Sequence, residues 1–431
     1  MSPASGLPAA ELLAIVGAPH LVTGEGRLRY RIGGAVPRGA LRPADAGEIE
    51  RILALAWRDG LSVVPWGGGF HQGIGRPPAR YDLALDLARL DGVIDHQPGD
   101  MTVTVQAGLT LEALAAVLGR HGQHCPLDPP PAARATVGGV LAANLSGPLR
   151  CRYGTARDLV LGLRVAHADG SRSIGGGRVV KNATAYDIPK LYLGALGTLG
   201  VIVEATLRVY PRPPVDAGEI IAFPDVSAAA AMADRLLHSS LVPTRLELLD
   251  GAGGRGIRLL VTIAGVPEAV AFQRTAVAEM AAVAGGRLQT EQLPEDLDLL
   301  GEFPWGAHAG EGDAVLWRGG VRVADCARAM AAVRGVAGTD VSSETAATVS
   351  AGMLRGRLSG GPEALCQAAL RTRASFEGLG GYLVVLEAPP AVRTALDVWG
   401  SPPGSLPLMQ QLRQAFDGRR ILNPGRFLES L

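Results

Sequence analysis

Lysine is almost missing from this chain of 431 residues: of its 41 basic residues only Lys181 and Lys190 are lysines, and both fall in the stretch KNATAYDIPK. An ammonium is a compact point charge where a guanidinium is a planar fork. The one segment that departs from arginine usage is either a place where a compact charge is wanted or a chance placing of two residues. Net charge is missing as well, since 41 acidic residues cancel the 41 basic ones. With no long block of like charge, electrostatics imply neither nucleic acid nor an anionic membrane surface as partner, and small-molecule chemistry is favoured. The four cysteines, Cys125, Cys151, Cys326 and Cys366, stand too far apart for a CxxC pair or a ferredoxin-type run. That excludes an iron–sulfur cluster of the chain's own and reads them as reduced thiols. No apolar run reaches spanning length, and the start, MSPASGLPAAELLAIVGAPH, lacks the basic residues and long apolar core of a signal peptide. The expectation is a cytoplasmic globule.

What is abundant is hydrophobic side chain, 47%, and glycine, 58 residues. The chain can bury a sizeable core divided over two or three domains. DAGEIERILALAWRD, residues 45–59, has apolar residues at helical spacing behind an aspartate cap, and GLSVVP follows as a short buried strand. MTVTVQAGL alternates like a strand, TLEALAAVLGRHG is a helix, and DLVLGLRVAHADGSRSI is a hairpin around Asp169 and Gly170. From Gly218 the character changes to alanine-rich helices alternating with short strands. The order strand, helix, two strands, helix, strand occurs twice, over about 218–300 and about 313–387. Two split βαβ units side by side make one broad antiparallel sheet backed by helices. The fold class expected is α+β. Its parts are an N-terminal segment 1–34, a first domain 35–213, a second domain 214–405 and a C-terminal helix and tail 406–431 that returns to the first.

Three glycine motifs compete for chemistry. GAGGRG places Gly251, Gly253 and Gly256 at dinucleotide spacing, but the strand IRLLVTIAG follows where the fingerprint requires a helix. A hairpin turn is the better reading. A P-loop is excluded because neither lysine follows a glycine. The second motif, PWGGGFHQGIG, carries Gly67, Gly68, Gly69, Gly73 and Gly75, more than a sharp turn needs. Successive N–H groups in glycine turns form an anion nest. In the third, ATVGGVLAANLSG, Thr136, Gly138 and Gly139 open a helix of small residues whose N-terminus suits an anion and whose face suits a flat ring, with tight helix packing as the alternative use of the small side chains.

The ordered set PWGGGFHQGIG, DPPPAARATVGGVLAANLSG, GGGRVVKNATAYDIPKLYLGALGTLGVI and ILNPGRF resembles the FAD-binding flavoprotein superfamily of vanillyl-alcohol oxidase and p-cresol methylhydroxylase. The KNATAYD and LGTLGVI elements are most similar to the FAD-binding small subunit of glycolate oxidase. The resemblance implies a two-part FAD-binding domain of the p-cresol methylhydroxylase type, a cap domain, and FAD held by Pro65, Trp66, Gly67, Gly68, Gly69, Phe70, His71, Gln72 and Gly73 at the pyrophosphate. Further cofactor contacts fall to Asp128, Pro129, Thr136, Val137, Gly138, Gly139, Ala142, Ala143, Asn144, Gly147, Tyr153, Gly200, Val201, Ile202 and Asn423. One departure is Ala185, where the pattern has glycine before Tyr186 and Asp187. Some members attach FAD to a histidine directly after the loop glycines; here Phe70 holds that place and His71 comes one step later, so non-covalent FAD is expected.

Catalytic relatives in this superfamily carry an HxGxGNxH-like cluster in the cap domain. After residue 213 this chain has only His238 and His308, far apart and outside any such context. Three readings follow. The first is an FAD-binding subunit of a glycolate oxidase complex, beside a catalytic flavoprotein subunit and an iron–sulfur subunit, oxidising a small 2-hydroxy acid and lying peripherally at the inner membrane face through the complex. The second is a self-sufficient FAD oxidoreductase with a base among Lys181, Tyr186 and Glu204. The third is a non-redox assembly subunit. No metal ligand set is expected.

Overall fold

A computed structural model of the chain describes residues 6–129, 134–177, 187–251, 256–289, 314–338 and 340–428. These fall into two units: Met1–Ser146 with Thr155–Pro211 and Pro402–Leu431, and Gly147–Gly154 with Arg212–Ser401.

The first unit holds two sheets. One is built from β1 (Leu21–Val22), β2 (Gly39–Leu41), β3 (Val63–Trp66) and β4 (Leu83–Asp86) in the order β1-β2-β4-β3. The strands β2, β4 and β3 run parallel. The helix between β2 and β3, Ala46–Asp59, starts where the Asp45 side chain accepts from the Glu48 N–H and stops at Gly60, left-handed at φ 68°. It buries Ile49, Ile52, Leu53, Leu55 and Ala56, the stripe its spacing predicts. Tyr30, from the N-terminal segment, is fully buried against Trp66, edge to face at 5.3 Å, and its hydroxyl donates to Asp86 at 2.7 Å. The N-terminal segment is thus part of this unit's core.

The second sheet comprises β5 (Val93–Gln97), β6 (Thr102–Gln106), β8 (Val160–Ala166), β9 (Arg172–Gly176) and β10 (Val201–Arg208), ordered β5-β6-β10-β8-β9 and antiparallel throughout. A two-stranded pair joins β7 (Gln123–His124) to β11 (Tyr210–Pro211). After the helix Leu406–Phe416 the chain passes along β3, with Val63 N–H donating to Ile421 O at 2.8 Å and Asn423 N–H to Val63 O at 2.9 Å.

The second unit is one sheet of eight antiparallel strands: β12 (Val215–Phe223), β13 (Arg245–Asp250), β14 (Ile257–Gly265), β15 (Arg287–Gln289), β16 (Ala314–Gly320), β17 (Val341–Thr348), β18 (Met353–Gly360) and β19 (Tyr382–Glu387). Their order, β15-β12-β14-β13-β17-β18-β16-β19, is two β-α-β-β-α-β repeats meeting edge to edge through their second strands β13 and β17. The helices Val226–Leu237, Pro267–Val283, Cys326–Val336 and Pro362–Gly378 cover one face, and the core between contains Leu246, Leu259, Met330 and an edge-to-face pair of Trp317 and Phe376 at 5.5 Å. The strand read as TAATVS begins earlier, at Val341, because VSSE keeps pairing with Arg357–Gly360 where its polarity hid the alternation. Residues 147–154, read as part of the first domain, cluster with this unit. The short helix Arg150–Tyr153 lays Cys151 against this core, with its Sγ 3.7 Å from Pro243 O. Gly251 and Gly256, both at positive φ, flank the connection between antiparallel neighbours β13 and β14. No helix among the described residues is long and apolar enough to cross a membrane.

Candidate functional site

Strand β3 ends at Trp66, and the chain turns into the glycine loop at the C-terminal end of a parallel strand. Gln72 Nε2 closes the loop by donating to Pro65 O at 3.0 Å. Among the described residues, no atom of the chain accepts a hydrogen bond from the N–H groups of Gly67, Gly68, Gly69 or Phe70. Four consecutive free donors, with Gly69 left-handed at φ 82°, form the concave nest that an oxyanion fills. A Cβ on Gly68 would lie 2.6 Å from Arg134 O and 3.0 Å from the Phe70 ring, and one on Gly67 would collide with the Thr136 hydroxyl.

That collision joins two motifs that are 69 positions apart, Gly67 and Thr136. Thr136 caps the helix Val137–Ala143 by accepting from Gly139 N–H at 3.3 Å. The expectation that this helix N-terminus binds the anion is corrected: Val137 N–H donates to Leu109 O at 2.9 Å, Gly138 N–H to Ala107 O at 2.8 Å and Val140 N–H to Thr136 O at 3.0 Å. The donors are spent inside the fold. Gly138 is likewise required by the protein, since a Cβ there would stand 2.7 Å from Ala107 Cβ. We expect Thr136→Ala to lower stability by about 1 kcal/mol, as losing a threonine cap does, and to loosen the wall behind Gly67; denaturant titration checks the first effect and FAD affinity the second.

Loop and helix line one cleft that opens to solvent. Pro65, Trp66, Gly67, Gly68, Gly69, Phe70, His71 and Gln72 line one wall, and Thr136, Gly138, Gly139, Ala142 and Ala143 another. Gly200, Val201 and Ile202 line a third, where β10 runs past the end of β6. The β6 pairing starts only at Glu204, leaving the backbone of Val201 and Ile202 without a β6 partner. Asn423 completes it from the tail. Its Nδ2 donates to Leu196 O while Oδ1, buried, has no partner. An orphaned buried acceptor costs free energy unless a ligand donor meets it. The free N–H run and this acceptor fit a cofactor with an anionic centre and N–H or O–H donors.

The other described residues expected at the site do not line this cleft. Val137 is buried in the core, Asn144 ends the helix in the left-handed region at φ 48°, and Gly73, Asp128 and Pro129 do not line the cleft. Gly147 and Tyr153 belong to the second unit. Lys181, Ala185, Tyr186 and His308 lie outside the described residues. Glu204 is no candidate base: it is held by Arg164 at 2.9 Å and does not line the cleft. His238 is exposed at the end of a helix, with Nδ1 2.8 Å from Asp234 O.

Sequence reasoning missed Leu87, Ala107, Ala135, Tyr192, Leu196, Gly197 and Arg426, which also line the cleft. Gly197 and Arg426 sit within GALGTLGVI and ILNPGRF, so the signal was in motifs already singled out. Arg426 Nη2 donates to Gln72 O at 3.0 Å and Ile74 O at 2.8 Å, tying tail to loop. Burial pushes the Tyr192 phenol above its ordinary range, against a smaller opposing effect of Ser173, which keeps it protonated.

Fold and site together define a chain with an FAD-binding domain and the fold of p-cresol methylhydroxylase. Residues 37–173 match the family described as FAD binding domain, and FAD is the cofactor. Over 217 residues the chain is 30% identical to glycolate oxidase subunit GlcD of Bacillus subtilis, covering 50% of this chain and 46% of that one. It is 32% identical over 217 residues to the mitochondrial D-lactate dehydrogenase [cytochrome] 1 of Saccharomyces cerevisiae, covering 50% and 37%. The match thus spans less than half the length of these relatives. Among solved structures, p-cresol methylhydroxylase superposes with a TM-score of 0.78 at 17% identity, over 97% of this chain and 95% of that one, a likeness of fold.

Proposed function

We propose that this chain is an FAD-dependent oxidoreductase of the 2-hydroxy-acid class, serving as the FAD-binding subunit of a glycolate-oxidising complex beside a catalytic flavoprotein subunit and an iron–sulfur subunit. The observation that carries the flavin part is the run of free N–H groups from Gly67 to Phe70 facing a cleft that Asn423 Oδ1 enters without a partner. In this reading those N–H groups hold the pyrophosphate, Asn423 Oδ1 accepts from a cofactor donor, and the Ala142–Ala143 wall excludes water from the ring. The bound flavin supplies the hydride acceptor.

The subunit role follows from what the hydroxyl proton needs. A positioned base contributes roughly a hundredfold to ten-thousandfold in rate. Glu204 is committed to Arg164, Tyr192 stays protonated, and His238 is at the surface. The partner subunit supplies the base.

The purified chain should therefore be yellow and should release its flavin on acid denaturation, Phe70 standing where the attachment histidine would be. Added anaerobically, glycolate or D-lactate should bleach this flavin at least about a hundredfold more slowly than in the assembled complex. Bleaching at ordinary enzymatic rates would make the chain self-sufficient and move the search for a base to Lys181 and Tyr186. A colourless chain that binds no FAD would make it an assembly subunit.

A further inference from the structure

An arginine stands beside the glycine nest with no acid to hold it. The chain from Ala135 to Gly138 is pinned to the turn that starts the helix Leu111–Gly119: Leu111 N–H donates to Ala135 O at 2.9 Å, Val137 N–H to Leu109 O at 2.9 Å and Gly138 N–H to Ala107 O at 2.8 Å. Arg134 comes just before this pinned run, and its carbonyl oxygen is the atom that a Cβ on Gly68 would meet at 2.6 Å. Its backbone is therefore packed on the loop. Its side chain is exposed, yet the guanidinium carbon lies over the half-buried Phe70 ring, 4.9 Å from the centroid. A cation is attracted to an aromatic face, so this side chain has a preferred place where a freely solvated arginine has none. Among the described residues, no carboxylate or other acceptor meets its guanidinium. Phe70 lines the cleft, and its N–H is one of the four free donors.

N–H dipoles bring partial charge to an anion, and a pyrophosphate carries full charges. Arg426, the arginine among the cleft-lining residues, has its Nη2 on Gln72 O and Ile74 O. We propose that Arg134, oriented by Phe70, is the cation that pairs with the FAD pyrophosphate at the nest. A guanidinium fork offers two parallel donors to phosphate oxygens, and a fork already placed by stacking loses less side-chain freedom when the anion arrives. Phe70, directly after the three loop glycines, then serves the cofactor through the arginine it holds. The proposal rests on the reading above that the nest takes the pyrophosphate.

Flavin-fluorescence titrations of the full chain, stripped of its flavin and then given FAD or riboflavin at rising salt, test it. Riboflavin carries the ring system without phosphates. Arg134→Gln should weaken FAD about tenfold or more at low salt, the loss expected for a charged hydrogen bond. It should also flatten the salt dependence of the wild type and leave riboflavin affinity unchanged. Phe70→Leu should weaken FAD by less, and Phe70→Tyr, which keeps the aromatic face, should bind it as the wild type does. Added to Arg134→Gln, Phe70→Leu should cost nothing more, because the ring acts through the arginine. Arg134 is exposed, so the fold should survive its replacement, as circular dichroism would show. Wild-type FAD affinity and salt slope in Arg134→Gln overturn the proposal. Equal losses of FAD and riboflavin overturn it as well, since Arg134 would then support the cleft and not meet the phosphates. FAD affinity that depends on Gly68 but not on Arg134 overturns this pairing alone, whereas FAD affinity indifferent to both overturns the reading of the nest.

Discussion

Gly68→Val is expected to strip FAD from the chain and leave it folded. The added branch would meet Arg134 O at 2.6 Å and the Phe70 ring at 3.0 Å. A backbone carbonyl cannot swing aside as a side-chain tip can, so the loop itself must move. Gly68 is exposed and its N–H is bonded to no atom of the described residues, so the displacement breaks no element of the described core. What it breaks is the alignment of four donors. Losing two or three charge-assisted hydrogen bonds, at about 1.5–3 kcal/mol each, weakens FAD by roughly two orders of magnitude or more. The ratio of flavin to protein absorbance after gel filtration, read with a melting curve of the same sample, is the measurement. A folded variant carrying a full complement of FAD would show that the pyrophosphate lies elsewhere.

Gly138→Val sets the contrast. Its Cβ would press on Ala107 Cβ at 2.7 Å and Ala107 O at 3.0 Å inside the core. This variant should lose stability first and flavin as a consequence. Both positions read alike in the sequence, as glycine in a small-residue motif. Only the neighbours separate a glycine that admits a ligand from one that admits another strand.

The same distinction marks how far the sequence could be read. The double β-α-β-β-α-β pattern was legible because apolar alternation and helical spacing repeat with turn residues between them, and strand faces are a local property. That β13 meets β17 was not, because an edge-to-edge junction leaves no mark on either strand's own pattern. The glycine loop and the Thr136 helix were each recognised. Their contact at Gly67 was hidden, since a missing side chain has no partner to announce. The helix N-terminus was misjudged because local chemistry shows how many N–H groups a helix start exposes, while Leu109 O and Ala107 O, supplied by a distant turn, decide how many are left. Residues 147–154, a stretch too short to carry a pattern, group with the second unit, where the partly buried Cys151 packs against the core.

Asp417→Ala should cost the chain both stability and flavin, through a network that touches no cofactor. Asp417 is fully buried and Arg413 is 3% exposed, their charged groups 3.2 Å apart. The carboxylate also accepts from Ile421 N–H at 3.1 Å and Leu422 N–H at 2.8 Å, while Arg413 donates to Thr198 O and Leu422 O. Burial pulls the Arg413 guanidinium below its ordinary range, and the Asp417 charge opposes that shift. Removing the carboxylate strands a buried cation and two backbone donors at once, a loss of about 3–5 kcal/mol. The tail it shapes is the segment whose Asn423 N–H bonds Val63 O and whose Arg426 holds the loop at Gln72 and Ile74. Denaturant midpoints should fall in the order wild type, Asp417→Asn, Asp417→Ala, because asparagine keeps an acceptor for one backbone N–H but not the charge. FAD affinity should fall in the same order, measured below the unfolding transition. If Asp417→Ala unfolds at the wild-type midpoint, the buried pair contributes nothing. If stability falls but affinity does not, the tail does not position the site.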